Sequence, residues 1–132
     1  MSAKIRKAAM TLVGAPFRLH GRDPATGLDC VGLVAEAMLR AGFTPVAPHG
    51  YSLRATSVET LLPFVRANGL KRVRSDGDIV LVMVGPVQPH LALRVAGGFV
   101  HAHAGIGRVT FLPGALPWPI HTEWRANQQR TG

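Results

Sequence analysis

Apolar positions follow two different periods along this chain. In the first half the spacing is helical. Residues 3–13 predict a short helix stopped by Gly14-Ala15-Pro16. Val31, Val34, Ala35 and Met38 recur at i, i+3, i+4 and i+7, with Asp29 placed as N-cap and Gly42 as terminator. Between these helices, residues 17–28 form a loop with turn signals at Asp23-Pro24 and Thr26-Gly27. Residues 43–55 predict a second loop. A third helix is expected over about 57–68. Thr56 and Glu59 fit a capping box, and Val58, Leu61, Leu62 and Val65 share a face. Pro63 should kink or shorten it, and Asn68-Gly69 ends it.

After residue 77 the pattern becomes that of strands. Asp78–Val84 is apolar enough to be a central strand, and Gly85–Pro89 is a turn with two prolines. His90–Val95, Phe99–Ala104 and Arg108–Leu112 follow, split by Gly97-Gly98 and Gly105-Ile106-Gly107. Connections this short predict antiparallel pairing. The Pro- and Trp-containing tail from residue 113 adds one strand near Ile120–Arg125. Helices first and an antiparallel sheet second make an α+β fold. With 132 residues, no internal repeat and no linker, one domain over 1–132 is expected.

Composition narrows the chemistry. Hydrophobic residues are 47% and charged residues 17%, which excludes disorder. The longest unbroken apolar run, Ile79–Val84, has six residues, so no membrane span is expected. Fifteen basic against seven acidic residues give a net charge of +8 and suit an anionic partner. Nucleic acid is not the expected one. The basic residues are scattered, with Lys71-Arg72-Val73-Arg74 the one cluster, and aromatics at 6% are too few for stacking platforms. Lys4, Arg6 and Lys7 before Ala8–Ala15 give the start of the chain a faint signal-peptide character. Thr11 and Gly14 interrupt that apolar stretch, and an amphipathic helix accounts for it better.

Cys30 is the sole cysteine, which rules out an intrachain disulfide and Cys-rich zinc fingers. It follows the predicted N-cap, where free amides and the helix dipole are expected to lower a thiol pKa. On placement alone, a buried structural cysteine competes evenly with a nucleophile. A nucleophile needs a base, and the chain offers six histidines: His20, His49, His90, His101, His103 and His121. His90 opens a strand. His101 and His103 alternate around Ala102 on one strand face. With His90 they would also be the minimal set for zinc, but His-x-His spacing alone is weak support and no metal or other cofactor is expected. There is no G-x-S-x-G, no Walker loop and no G-x-G-x-x-G after a strand.

Several segments, in order, resemble the signature of NlpC-type cysteine peptidases, papain-like hydrolases of the bacterial cell wall. They are Gly14-Ala15-Pro16-Phe17-Arg18 followed by Gly27-Leu28-Asp29-Cys30-Val31-Gly32-Leu33-Val34, then Gly77-Asp78-Ile79-Val80, then His90-Leu91-Ala92-Leu93, then Gly98-Phe99-Val100-His101-Ala102. The likeness covers about residues 5–112. It implies a papain-like fold, with N-terminal helices packed on an antiparallel sheet of about four to six strands. It implies Cys30 as nucleophile, His90 as general base and His101 as orienting residue, with Phe17 and Asp29 on the substrate side. His103 has no counterpart and is expected at the rim. Two positions depart from the family pattern. Phe17 stands where Tyr is common, so a hydroxyl linked to oxyanion or substrate binding is absent, and Val31 stands where Ser is frequent.

The implied activity is a cysteine endopeptidase acting on peptidoglycan stem peptides near D-γ-glutamyl and diaminopimelate residues. Two other readings stay open: an acyltransferase or amidase on the same Cys–His site, and a non-catalytic basic binding protein. The sequence shows no convincing signal peptide and no wall-binding module. The resemblance therefore extends to hydrolases carried by phage tails or tail-like particles such as gene transfer agents. Such an enzyme would be made in the cytoplasm, partner with particle proteins and act at the wall.

Overall fold

The computed structural model describes residues 2–45, 62–84 and 88–126. The chain opens with helix α1 (Ser2–Thr11). Two short strands, β1 (Arg22–Asp23) and β2 (Gly27–Leu28), pair antiparallel inside the segment expected to be loop. Helix α2 (Cys30–Arg40) and the short α3 (Leu62–Ala67) complete the helical half. Strands β3 (Lys71–Val73), β4 (Ile79–Val84), β5 (Gln88–Val95), β6 (Gly98–His103), β7 (Arg108–Pro113) and β8 (Ile120–Arg125) build one antiparallel sheet. Its order is β3-β8-β4-β5-β6-β7. The α+β architecture, helices on a six-stranded antiparallel sheet, agrees with the expectation. No helix among the described residues is long and apolar enough to cross a membrane.

Helix α2 presents the face its sequence predicts. Ile5, Ala8 and Ala9 are buried from α1, Leu12 from the turn after it, and Val31, Val34, Ala35 and Met38 from α2. They meet Ile79, Leu81, Leu91, Leu93, Val100 and Val109 of the sheet in the main core. The opposite sheet face carries a smaller cluster, Val80, Val82, Ala92 and Phe99, covered by Leu116 and Trp118 from the segment after β7. Strand β4 is apolar on both faces because both are covered.

An ionic cluster ties the helical half to the sheet. The buried Asp78 accepts from Arg6 Nε at 3.1 Å and from the amide of Ala126 at 3.3 Å. Glu123 accepts from Arg94 Nη2 at 2.7 Å and from the amide of Gly77 at 2.9 Å. A Cβ at Gly77 would crowd Glu123 and Trp124, so Gly77-Asp78 serves to dock β8 and α1 against β4.

Some expectations are corrected. The described part of the third helix begins at Leu62, with Pro63 in its first turn, where a missing N–H costs nothing. The capping box at Thr56 and Glu59 and the loop over 46–55 lie outside the described residues. Pro89 belongs to β5, opposite Met83 of β4, and not to a turn. It is tolerated because β5 pairs with β6 only from Leu93 to Val95, so Pro89 faces no second strand. β3 went unpredicted because three residues paired only to the tail strand carry no periodic signal.

Candidate functional site

The site begins with the loop before α2. Asp29 caps the helix, its Oδ1 accepting from the amide of Gly32 at 2.9 Å and from Arg22 Nη1 at 3.2 Å. Its Oδ2 accepts from the amide of His20 at 2.8 Å. Gly32 has no side chain where one would overlap the carbonyl oxygen of Gly21, so the loop lies directly across the first turn of α2. The Asp-Cys-Val-Gly run therefore has a structural logic. Asp29 and Gly32 lock the loop to the helix, and Cys30 is held between them. Asp29 is fully buried and absent from the cavity wall. The structure thus places it behind Cys30 rather than on the substrate side.

Cys30 lines a cavity of about 230 Å³ together with Phe17, His90, His101, His103 and Trp118. The cavity exists because the sheet is split at that point. β5 and β6 are paired over Leu93–Val95 and Gly98–Val100, and the pairing stops there. Beyond it, Leu91 and His90 face His101–His103 across a gap, and the N-terminus of α2 sits at that gap. The backbone amides of Leu91, Val31 and Cys30 itself favour the thiolate, but burial opposes it more strongly and the carboxylate of Asp29 adds to the opposition. The balance pushes the thiol up from 9.0 to about 12. The expectation that a helix start would lower this pKa is corrected, because the thiol is only 1% exposed and desolvation outweighs the amides.

His90 and His101 share a face with Ala92 and Phe99 by strand alternation. His90 Nε2 lies 3.1 Å from His101 Nδ1, and the rings meet edge to face at 5.3 Å with an interplanar angle of 89°. Burial first, then the neighbouring His101 and His103, pull His90 down from 6.5 to about 3. Burial and His103 pull His101 down to about 4. At neutral pH the site therefore holds an uncharged thiol and two uncharged imidazoles. His103 sits at the rim, half-buried, its ring 5.3 Å from that of His101. Its Nδ1 accepts from the amide of Ile106 at 3.0 Å, so it is tied to the β6–β7 turn and not to His90.

The three histidines do not converge on a common point. Two of the nitrogens a metal would need are turned on each other, and no group of three or more metal-ligating side chains occurs among the described residues. Phe17 is at the cavity wall, half-buried, its amide donating to Gly107 at 2.8 Å, and it offers no hydroxyl. The edge strand β3 takes up Lys71-Arg72-Val73 of the basic cluster, on the far side of the sheet order from β6 and β7.

One cavity residue escaped sequence reasoning. Trp118 stands with its ring 5.7 Å from His101 and 6.2 Å from His90, edge-on to both. It covers the histidine pair from the segment between β7 and β8. Its signal was a lone large aromatic between Pro117 and Pro119, which no periodicity ties to a face.

The fold has known counterparts. The NlpC/p60 domain of the peptidoglycan hydrolase SagA superposes with a TM-score of 0.57 at 22% identity, covering 86% of this chain and 89% of that one. A lipoprotein-like protein of the NLP/P60 family from Staphylococcus aureus superposes with a TM-score of 0.63 at 17% identity, covering 97% of this chain. This chain spans 42% of that protein's length. No family model and no curated protein matches the sequence. The structural likeness establishes a papain-like α+β fold shared with these domains.

Proposed function

We propose that this protein is a cysteine peptidase that hydrolyses peptidoglycan stem peptides. The observation that carries the reading is the convergence of Cys30, at the N-terminus of a helix, with the hydrogen-bonded His90–His101 pair in one cavity. The similar SagA domain supports the substrate class, since it is described as part of a peptidoglycan hydrolase.

The residues support acyl transfer in two steps. His90 Nε2 is engaged with His101, which leaves Nδ1 for the thiol. Nδ1 takes the proton of Cys30 as Sγ attacks the scissile carbonyl carbon. The amides of the first turn of α2 are the donors available to the oxyanion, since Phe17 has no hydroxyl to add. His90 then gives its proton to the departing amine, and a thioester remains on Cys30. Water, losing a proton to His90, attacks the thioester, and the thiol re-forms as the peptide leaves as a carboxylic acid. The neutral resting pair suits this order, because the proton moves only when substrate is in place.

Within that class we assign cleavage beside D-γ-glutamyl and diaminopimelate residues, and delivery to the wall by a phage tail or tail-like particle. Mass spectrometry of purified muropeptides tests the reaction. Wild-type protein should yield two fragments whose summed mass exceeds the substrate by one water. Cys30→Ala, one small side chain for another, should fold and lose at least about 10³-fold of the rate. Digestion by the Ala variant, or insensitivity to iodoacetamide, would overturn the assignment. Products joined to an added amine instead of water would make the protein a transferase.

A further inference from the structure

We infer that Thr110, on the strand next to His101, sets the tautomer of the His101–His90 pair. The inference rests on His90 being the base of the proposed reaction. A single proton lies between His90 Nε2 and His101 Nδ1, and either nitrogen can carry it. If His90 carries it, His90 Nδ1 is bare and can take the thiol proton. His101 Nδ1 is then the acceptor, and the proton of His101 must sit on Nε2. If His101 carries it on Nδ1, His90 holds its own proton on Nδ1 and cannot act as a base. The partner of His101 Nε2 therefore decides whether the site is competent.

That atom is buried without a hydrogen-bond partner, in a residue only 2% exposed. Thr110 Oγ1 is in the same condition. The two residues face each other directly in the β6–β7 register, which puts their side chains side by side on one sheet face. Val109 of the same strand is turned to the main core, so Thr110 is on the histidine side by alternation. Two unsatisfied buried polar atoms on paired residues call for a shared bond. The Thr110 hydroxyl accepts from His101 Nε2–H, directly after a turn about its Cα–Cβ bond or through one bridging water, and it selects this tautomer by giving its own proton to a strand carbonyl, since a hydroxyl proton left free would serve a bare Nε2 equally well by donating to it. The relay then runs Thr110, His101, His90, with every ring nitrogen assigned, and the proposed reaction carries it on to Cys30 at the same cavity. Thr110 is a positioning residue and touches no substrate.

Nitrogen NMR of histidine-labelled protein at pH 7, without substrate, tests this through the ring shifts that distinguish a protonated from a bare nitrogen. In the wild type, His101 should carry its proton on Nε2 and leave Nδ1 bare. Thr110→Val keeps the β-branched shape and removes the hydroxyl. It should turn His101 into a mixture of tautomers and lower kcat by about tenfold to a hundredfold with KM little changed, a size borrowed from the loss of an outer hydrogen-bond partner of a metal-ligating histidine. Thr110→Ser should restore both the tautomer and the rate. A wild-type His101 protonated on Nδ1, or an unchanged tautomer in folded Thr110→Val, would overturn the inference. Because the NMR readout needs no turnover, the expected tautomers in a protein inert towards muropeptides would sink the peptidase reading and leave the role of Thr110 standing.

Discussion

His90 and His101 lie eleven residues apart in sequence, on adjacent strands, and their rings meet through a single 3.1 Å hydrogen bond, Nε2 to Nδ1. The bond forms where the β5–β6 ladder has already ended, so it replaces backbone pairing as the link between the two strands at the cavity. It also separates His101 from His103, which shares its strand face with a ring 5.3 Å from that of His101 but is bonded to the Ile106 amide.

Steady-state rates on one muropeptide should therefore split the two. His101→Ala should lose roughly 10²–10³-fold, less than the about 10⁴ lost with the orienting residue of a serine triad. His103→Ala should stay within a few-fold of wild type. A larger defect in His103→Ala would mean that the orienting role is assigned to the wrong residue.

Stability should form a plateau bounded by the site's own titrations. His90 and His101 take up protons near 6.5 when unfolded but only near 3 and 4 when folded. Below pH 6.5 the unfolded chain binds more protons, so stability falls as pH drops through this window. Cys30 ionises at 9.0 unfolded and at about 12 folded, so stability falls again as pH rises above 9. Urea titrations from pH 4 to 11 should show both limbs, and Cys30→Ala should flatten the alkaline one. An alkaline limb of equal depth in Cys30→Ala would show that the thiol is not held protonated.

Chelation should leave the proposed activity untouched. One nitrogen of His90 and one of His101 are committed to each other, and cysteine–histidine chemistry needs no Lewis acid. Dialysis against EDTA should preserve the rate. Loss of activity with recovery on zinc would move His90, His101 and His103 from a relay to a ligand set.

Gly32→Ala should damage the site through the fold. A methyl there meets the carbonyl oxygen of Gly21, backbone against backbone, and neither can move without breaking the cap at Asp29. Overpacking of this kind costs about 1–3 kcal/mol. Thermal denaturation should show that loss, with activity falling beyond it because Cys30 is displaced. Gly14→Ala is a useful contrast: the space there is open, and only the positive φ of 97° opposes the change.

Much of this was legible in the sequence because it is local. The periods of α1, α2 and the strands from β4 to β7 follow from side-chain direction, and each element buries the face its spacing marks. The cap at Asp29 and the strand face shared by His101 and His103 are local in the same sense. Where the sequence misled, a distant contact had won. The thiol at a helix start should ionise easily, yet the packing of β5 and Trp118 around the cavity leaves it desolvated and raises its pKa. The placement of β8 between β3 and β4, the interruption of the β5–β6 ladder, the cover provided by Trp118 and the pairing of Thr110 with His101 depend on which segments meet. Periodicity records only which way a side chain points along its own element. Which partner it finds there is settled when elements far apart in the chain compete to bury the same surface, and for that reason the tertiary structure alone decided the protonation states and the hydrogen-bond order of the site.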